Sequence, residues 1–423
     1  MELQDCRVLL VADNVSARFG GEAILPLHYF RVLRSRGVEA WMLMHSRTRD
    51  EMRSLFPQDE DRIFYIPDLL IHRMLYRIGK WLPDLVALLS TGLVMGLVTQ
   101  YLQRKLARRL VREKGVNVVH QPTPVSPKLP SMLFDVGAPV VIGPMNGGMT
   151  YPPGMRQLES RVERLAVALG RAGSNVMNWL IPGKLRARVL MVANERTRGA
   201  LPAGHKGVVV HLPENGVDLR LWQKVDRQPT GRDERVRFAF LGRLVELKGV
   251  DLLLEALPVV LKQAPVCVDI IGDGPMRDRW QGMARELGIS EHVAFTGWLA
   301  QSQCAERLAS ADALVLPSLR ECGGAVVLEA MAIGLPVIAS NWGGPPDYLD
   351  AGCGILVDPV SRESMIRQLA EAMVKLAVSP ELRQRLGANG RQRVIDCFDW
   401  EAKVDRILDI YRAARESGKQ AAS

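Results

Sequence analysis

From residue 313 to 334 the sequence reads ALVLPSLRECGGAVVLEAMAIG, and no other stretch restricts the possible architecture as strongly. Its first four residues are apolar and predict a buried strand stopped by Pro317. A polar loop carrying Glu321, Gly323 and Gly324 follows, and residues 325–333 predict a helix ended by Gly334. Strand, loop and helix in that order make a crossover of a parallel sheet. Ligands of open α/β sheets lie at the carboxyl ends of the strands, where the following helix points unpaired N–H groups at whatever is bound. Glu321 sits on that loop, and Glu329 lies about one and a half turns into the helix. Two carboxylates so spaced can address different parts of one extended molecule.

The same alternation runs through the rest of the chain. Apolar runs at 6–12, 38–44, 116–120, 139–142, 190–193 and 207–211 predict one set of strands. Runs at 235–241, 266–271, 293–295, 313–316, 337–339 and 355–357 predict a second, with helical patterns in the gaps. Regular βα alternation implies an α/β fold of parallel, doubly wound sheets. With 423 residues, 48% hydrophobic and 24% charged, there is enough chain for two large cores. Pro213-Glu214-Asn215-Gly216 and the polar segment up to Asp233 read as the connection. The expected division is therefore 1–214, a linker at 215–234, and 235–398.

Several predicted strands end in loops suited to an anion or a polar ligand. Gly20 and Gly21 precede the helical pattern at 22–36, where glycine permits close backbone approach; a tight turn is the alternative reading. His120 closes one strand, and a lone histidine there reads as a satisfied polar residue or as a catalyst. Asn146, in the loop after residues 139–142, can serve a hydroxyl or phosphate, or simply a turn. Gly242-Arg243 ends the strand at 235–241, and Lys248-Gly249 precedes the next helix; converging cations there form an anion site, unless both are merely solvated. Gly272 and Gly274 form a further strand-end glycine loop.

At these residues the chain resembles a known family. Two glutamates separated by seven residues, then the EAMAIGLPVIA run and Gly343-Gly344-Pro345, together with GRLVELKG at 242–249, look like the retaining glycosyltransferases of family 4, the glycosyl transferases of group 1. The resemblance implies the GT-B architecture: two Rossmann-like domains facing across a cleft, with a helix at 399–423 crossing back to the first. It implies that Arg243 and Lys248 bind the diphosphate of a nucleotide-sugar donor, with the Ala325 helix start assisting. Glu329 would hold the ribose, Glu321 the donor sugar, and His120 would lie near the reaction centre. Gly20, Gly21, Gly272, Gly274, Gly323 and Gly324 would line the donor site, and Asn146 the acceptor side. The chain departs from the common pattern at Cys322, where an aromatic ring usually follows one residue later, and at Asp347, where a glutamate is usual. Both departures bear on which sugar is transferred.

The implied reaction moves a hexose from a UDP- or GDP-sugar to a lipid-linked or polysaccharide acceptor, with no metal and no cofactor, since no DxD motif stands in a suitable context. A sugar-nucleotide 2-epimerase and a non-catalytic sugar-nucleotide-binding subunit are the alternatives on this architecture. The excess of 55 Lys and Arg over 46 Asp and Glu suits anionic partners. No nucleic-acid-binding module is recognisable. Six scattered cysteines without a CxxC pair, and an opening that leads straight into a strand pattern, suggest a cytoplasmic protein. Residues 85–102 carry no charge but are interrupted by polar residues and glycines, short of a convincing membrane span. The basic pattern with Arg104, Arg108 and Arg112 suggests either peripheral contact with an anionic membrane or a solvated helix face.

Overall fold

The structure, a computed structural model, describes residues 5–18, 21–82, 84–158, 170, 173–223 and 235–420. The chain divides into two compact units: residues 1–148, 165–214 and 403–423 form the first, and 149–164 with 215–402 the second.

The first unit holds a seven-stranded sheet in the order β3-β2-β1-β4-β5-β6-β7. Its strands are β1 (Arg7–Val11), β2 (Glu39–His45), β3 (Ile63–Ile66), β4 (Val118–Gln121), β5 (Val140–Met145), β6 (Val189–Val192) and β7 (Val208–His211). All pairings are parallel. Parallel strands covered on both faces are apolar throughout rather than alternating, which is why β6 and the last four residues of β1 read as unbroken apolar runs. Three helices matter here: α1 (Leu25–Ser35), α2 (Leu70–Gly79) and α3 (Leu93–Lys114). A 3-10 turn over Gly21–Ile24 precedes α1, so the helix starts later than the pattern at 22–36 predicts. Pro26 sets that start, because proline lacks an N–H and is tolerated only in the first turn. Ala107, Leu110 and Val111 of α3 pack into one cluster with Leu9, Leu43 and Ile66 of the sheet.

No described helix is long and apolar enough to cross a membrane. The basic side of α3 is partly turned inward: Arg104 donates from Nε to the Phe134 carbonyl at 2.9 Å and stacks 3.7 Å above that ring, and Arg108 donates to the Asp135 carbonyl at 2.7 Å. Exposed apolar side chains gather instead on and just after α2, at Leu70, Met74, Tyr76, Ile78 and Trp81.

The second unit holds a six-stranded sheet in the order β10-β9-β8-β11-β12-β13. Its strands are β8 (Val236–Leu241), β9 (Val266–Ile271), β10 (Val293–Gly297), β11 (Ala313–Leu316), β12 (Val337–Ser340) and β13 (Gly354–Val357), again all parallel. Helices α4 (Val250–Leu261) and α5 (Ala325–Ala332) follow β8 and β11. Phe238, Phe240, Ile270, Leu314 and Leu316 form its core with Leu253, Leu257 and Leu328. The chain ends on α6 (Trp400–Gln420), whose residues from 403 onward group with the first unit. Val404, Ile407, Tyr411 and Ala414 recur at intervals of three and four and are buried, which makes one apolar stripe. The Lys403 ammonium, itself buried, donates to the Pro213 carbonyl at 2.7 Å and to that of Glu214.

Candidate functional site

In the second sheet β8 and β11 are neighbours, yet the chain leaves β8 toward β9 on one side and β11 toward β12 on the other. Such a reversal opens a crevice at the carboxyl ends of the two central strands. Gly242 and Arg243 follow β8 there, and Pro317 to Gly324 follow β11.

The two loops are joined by side chain and by backbone. The Lys248 ammonium donates to Glu321 Oε2, and the Ser318 hydroxyl donates to the same oxygen at 3.2 Å. Lys248 and Glu321 keep only 18% and 12% of their side-chain surface exposed, so the pair is shielded but still open on one side. Leu319 N–H donates to the Leu247 carbonyl at 2.9 Å. Gly249, at φ +65°, lies so close that a Cβ would stand 2.3 Å from the Pro317 carbonyl oxygen. On the other flank Gly344 N–H donates to the Glu321 carbonyl at 2.9 Å, and a Cβ on Gly344 would stand 2.3 Å from that of Gly323. The Glu321 loop is thus clamped between two glycine-bearing segments.

Gly324, at φ +71°, turns the chain into α5, and the first amides of Ala325 and its successors have no carbonyl before them in the helix. Arg243 is exposed and meets no acidic side chain among the described residues. Gly272 and Gly274 bring the loop after β9 against the loop after β8: a Cβ at Gly272 would lie 2.0 Å from the Gly242 carbonyl oxygen, and one at Gly274 2.4 Å from that of Leu244. Arg243, Lys248, Glu321, Gly323, Gly324, Ala325, Gly272 and Gly274 therefore all lie on the loops and helix start at the carboxyl ends of β8, β9 and β11.

Glu329 lies in the second turn of α5, partly buried and without a hydrogen-bond or ion-pair partner among the described residues. Burial pushes its carboxyl up from 4.5 to about 7. Between those two pH values the native chain keeps a proton that the unfolded chain has released, so its contribution to stability is full below pH 4.5 and lost as pH rises through 7. Relative to Glu329→Gln, the wild type should lose about 3 kcal/mol of unfolding free energy on going from pH 4.5 to 8. Urea midpoints of the two proteins across that range measure it, and parallel curves would contradict it.

The remaining candidates lie in the first unit. His120 is fully buried, with Nδ1 2.6 Å from the Tyr411 hydroxyl and Nε2 2.6 Å from the Gly143 carbonyl. A carbonyl only accepts, so Nε2 carries the proton and Nδ1 accepts from Tyr411. Burial first, and Lys403 next among the lowering influences, hold the imidazole down to about 4 against the raising effect of the Gly143 carbonyl. A neutral ring with both nitrogens in use matches the satisfied polar residue that its place at a strand end allowed. Asn146 is also buried, its side-chain oxygen accepting from Arg196 Nη2 at 3.0 Å and lying 3.4 Å from Asn194 Nδ2. These contacts tie the loop after β5 to the residues that follow β6. Gly21 opens the 3-10 turn at φ +55°, with nothing within 4 Å of its would-be Cβ, while Gly20 lies outside the described residues. Sequence reasoning missed Ser318 and the clamping role of Gly249 and Gly344; a glycine directly after a functional lysine was the available signal.

Residues 223–393 match the family described as Glycosyl transferases group 1. Over 237 residues the chain is 32% identical to a GDP-mannose-dependent alpha-(1-6)-phosphatidylinositol monomannoside mannosyltransferase of Mycolicibacterium smegmatis, covering 52% of this chain and 61% of the relative. Over 218 residues it is 36% identical to a D-inositol 3-phosphate glycosyltransferase of Segniliparus rotundus, covering 48% and 46%. The chain thus spans about half to three-fifths of the length of these curated relatives. Among solved structures it is similar to a glycosyltransferase from Rickettsia africae (TM-score 0.65, 14% identity, 97% of this chain and 99% of the other). It is also similar to Anabaena Alr3699/HepE in complex with UDP and glucose (TM-score 0.64, 16% identity, 96% and 100%). At such identities the likeness concerns the fold, two Rossmann-like α/β units of the GT-B class.

Proposed function

We propose, from the match of residues 223–393 to the glycosyl transferases group 1 family, that the chain is a retaining glycosyltransferase, independent of metal, that moves a hexose from a nucleotide-sugar donor to a lipid-linked or saccharide acceptor. The observation that carries this reading is the Lys248–Glu321 pair at the reversal of the second sheet, with Arg243 exposed on the adjoining loop. Cleavage of the bond between sugar and diphosphate leaves negative charge on the departing phosphate and positive charge on the ring. A site that works without metal must meet the first with fixed cations and amides. Arg243, Lys248 and the first amides of α5 supply them. Lys248 has three N–H bonds, and its contact with Glu321 occupies one, leaving donors for a phosphate. Glu321 takes sugar hydroxyls and Glu329 the ribose. Clamping of the Glu321 loop keeps both sides of the reacting bond at a fixed separation, so little reorganisation is needed as charge develops.

Donor identity is tested by thermal-shift measurement of the full chain with UDP-, GDP- and ADP-sugars, GDP-mannose first because the Mycolicibacterium smegmatis relative is named for it. Binding stabilises by RT ln(1 + [L]/Kd), about 2.7 kcal/mol at a hundredfold excess over Kd. One nucleotide should therefore raise the melting temperature by several degrees. No shift with any of them would remove the donor site, and isomerised nucleotide sugar without acceptor would point to an epimerase.

A lipid-linked acceptor places the protein at a membrane surface. The exposed apolar side chains of α2 stand beside Arg73, Arg77 and Lys80, also exposed, and this mixture fits an anionic bilayer better than the partly occupied cations of α3 do. Leu70→Glu with Met74→Glu and Trp81→Glu should abolish cosedimentation with vesicles of anionic phospholipid. Cosedimentation equal to wild type would exclude α2 as the contact.

A further inference from the structure

His45, Asp68 and His72 meet at the edge of the first sheet, far in sequence from the residues given to donor chemistry. Strands β2 and β3 pair with His45 opposite Ile66, so His45 ends its strand where the chain leaves β3 toward Asp68. Four residues on, His72 stands in the first turn of α2. Asp68 Oδ1 lies 3.9 Å from His45 Nε2 and 3.8 Å from His72 Nδ1, and one ligand atom from each of the three residues lies within 4.8 Å of the others. We infer that these three side chains bind a single transition-metal dication of the zinc class.

The main support is His45. It is 2% exposed, and neither ring nitrogen has a hydrogen-bond partner. Buried imidazole nitrogens are ordinarily paired, and coordination gives Nε2 the partner it lacks. Orientation of the other two ligands points the same way. Thr99 gives its hydroxyl proton to the Met95 carbonyl at 3.0 Å, so its oxygen accepts from His72 Nε2 at 3.3 Å. The His72 lone pair therefore lies on Nδ1, toward Asp68; it now accepts the Leu69 amide at 3.1 Å, a contact that coordination replaces. Arg73 donates to Asp68 Oδ2 at 3.1 Å, leaving Oδ1 for the metal. A hydrogen-bonded second shell on ligating His and carboxylate is the usual accompaniment of such sites.

Metal–ligand bonds of about 2.0–2.2 Å at tetrahedral angles put ligand atoms about 3.4 Å apart, so each carboxylate contact need close by only about 0.5 Å. Two imidazoles and one carboxylate are a borderline N/O set, and they leave one position for water. The cationic Arg47 side chain lies close enough to act on both imidazoles. The same cation disfavours magnesium or calcium, which rely on oxygen ligands and charge. Asp68 is 35% exposed and supplies the entry path. Once bound, the ion ties the start of α2 to the sheet.

The test uses the full chain stripped with chelator and titrated with Zn²⁺ and Co²⁺ alone. Calorimetry should give one site per chain, and Co²⁺ should give ligand-field bands without thiolate charge transfer. His45→Asn, His72→Asn and Asp68→Asn should each weaken binding at least about tenfold, a loss that even supporting groups at metal sites produce. Should His45→Asn fail to fold, Asp68→Asn, at a partly exposed position, decides the matter. Absence of binding, wild-type affinity in Asp68→Asn, or a thiolate band that disappears when the exposed Cys322 and Cys397 are capped would each overturn the assignment.

Discussion

Replacing Lys248 with alanine is expected to lower kcat/KM for glycosyl transfer by about 10²–10³-fold, the loss that follows removal of one preorganised donor to a developing anion. Arg243→Ala should cost a similar factor, because in the proposed site it meets the same leaving group from the same connection between β8 and α4. The two variants differ in stability. Arg243 is exposed and unpaired, so its loss leaves the fold as it was. Loss of Lys248 leaves the Glu321 carboxylate, 12% exposed, with Ser318 alone, at a cost of about 1–3 kcal/mol. Glu321→Gln in the Lys248→Ala background should recover that stability without recovering activity. Steady-state rates with denaturant midpoints separate the two effects, and unchanged turnover in Lys248→Ala would take the residue out of the site.

Gly272→Ala should be the most destabilising single methyl group in the second unit's crevice. The residue sits at φ +135°, a region L side chains rarely adopt, and the new Cβ would stand 2.0 Å from the Gly242 carbonyl oxygen. Backbone strain of about 1–3 kcal/mol adds to overpacking of about 1–3 kcal/mol. The obstruction is backbone, so no rotamer change relieves it. It must push apart the loops after β8 and β9, which moves Arg243. Gly288→Ala is the matched control: φ is +67° there, but nothing lies within 4 Å of the added carbon. Comparable urea midpoints for the two variants would mean that the loops separate without cost.

The pattern of apolar runs located twelve of the thirteen strands to within a few residues, because parallel strands buried on both faces carry an unbroken signal. The missed one is β3, Ile63–Ile66. The loops at the carboxyl ends of β8, β9 and β11 were legible for a related reason: glycines and charges there interrupt apolar runs at fixed places. What could not be read locally was how long-range contacts spend a side chain. His120 is defined by Tyr411, 291 positions away, and Arg104 by the Phe134 loop. The Lys248–Glu321 pair, 73 positions apart, was visible as two separate functional residues but not as partners.

Tyr411 has a further consequence for how the polypeptide matures. The first unit takes its sheet from residues 7–211 and its closing helix from residues 403–420. His120 Nδ1 and the Pro213 carbonyl find partners on that helix. While a ribosome is still making the intervening segments, the first sheet lacks the Tyr411 hydroxyl from which His120 Nδ1 accepts. Residues 215–402 carry all six strands of the second sheet and are made before that helix, so the first unit starts ahead of the second and is completed after it.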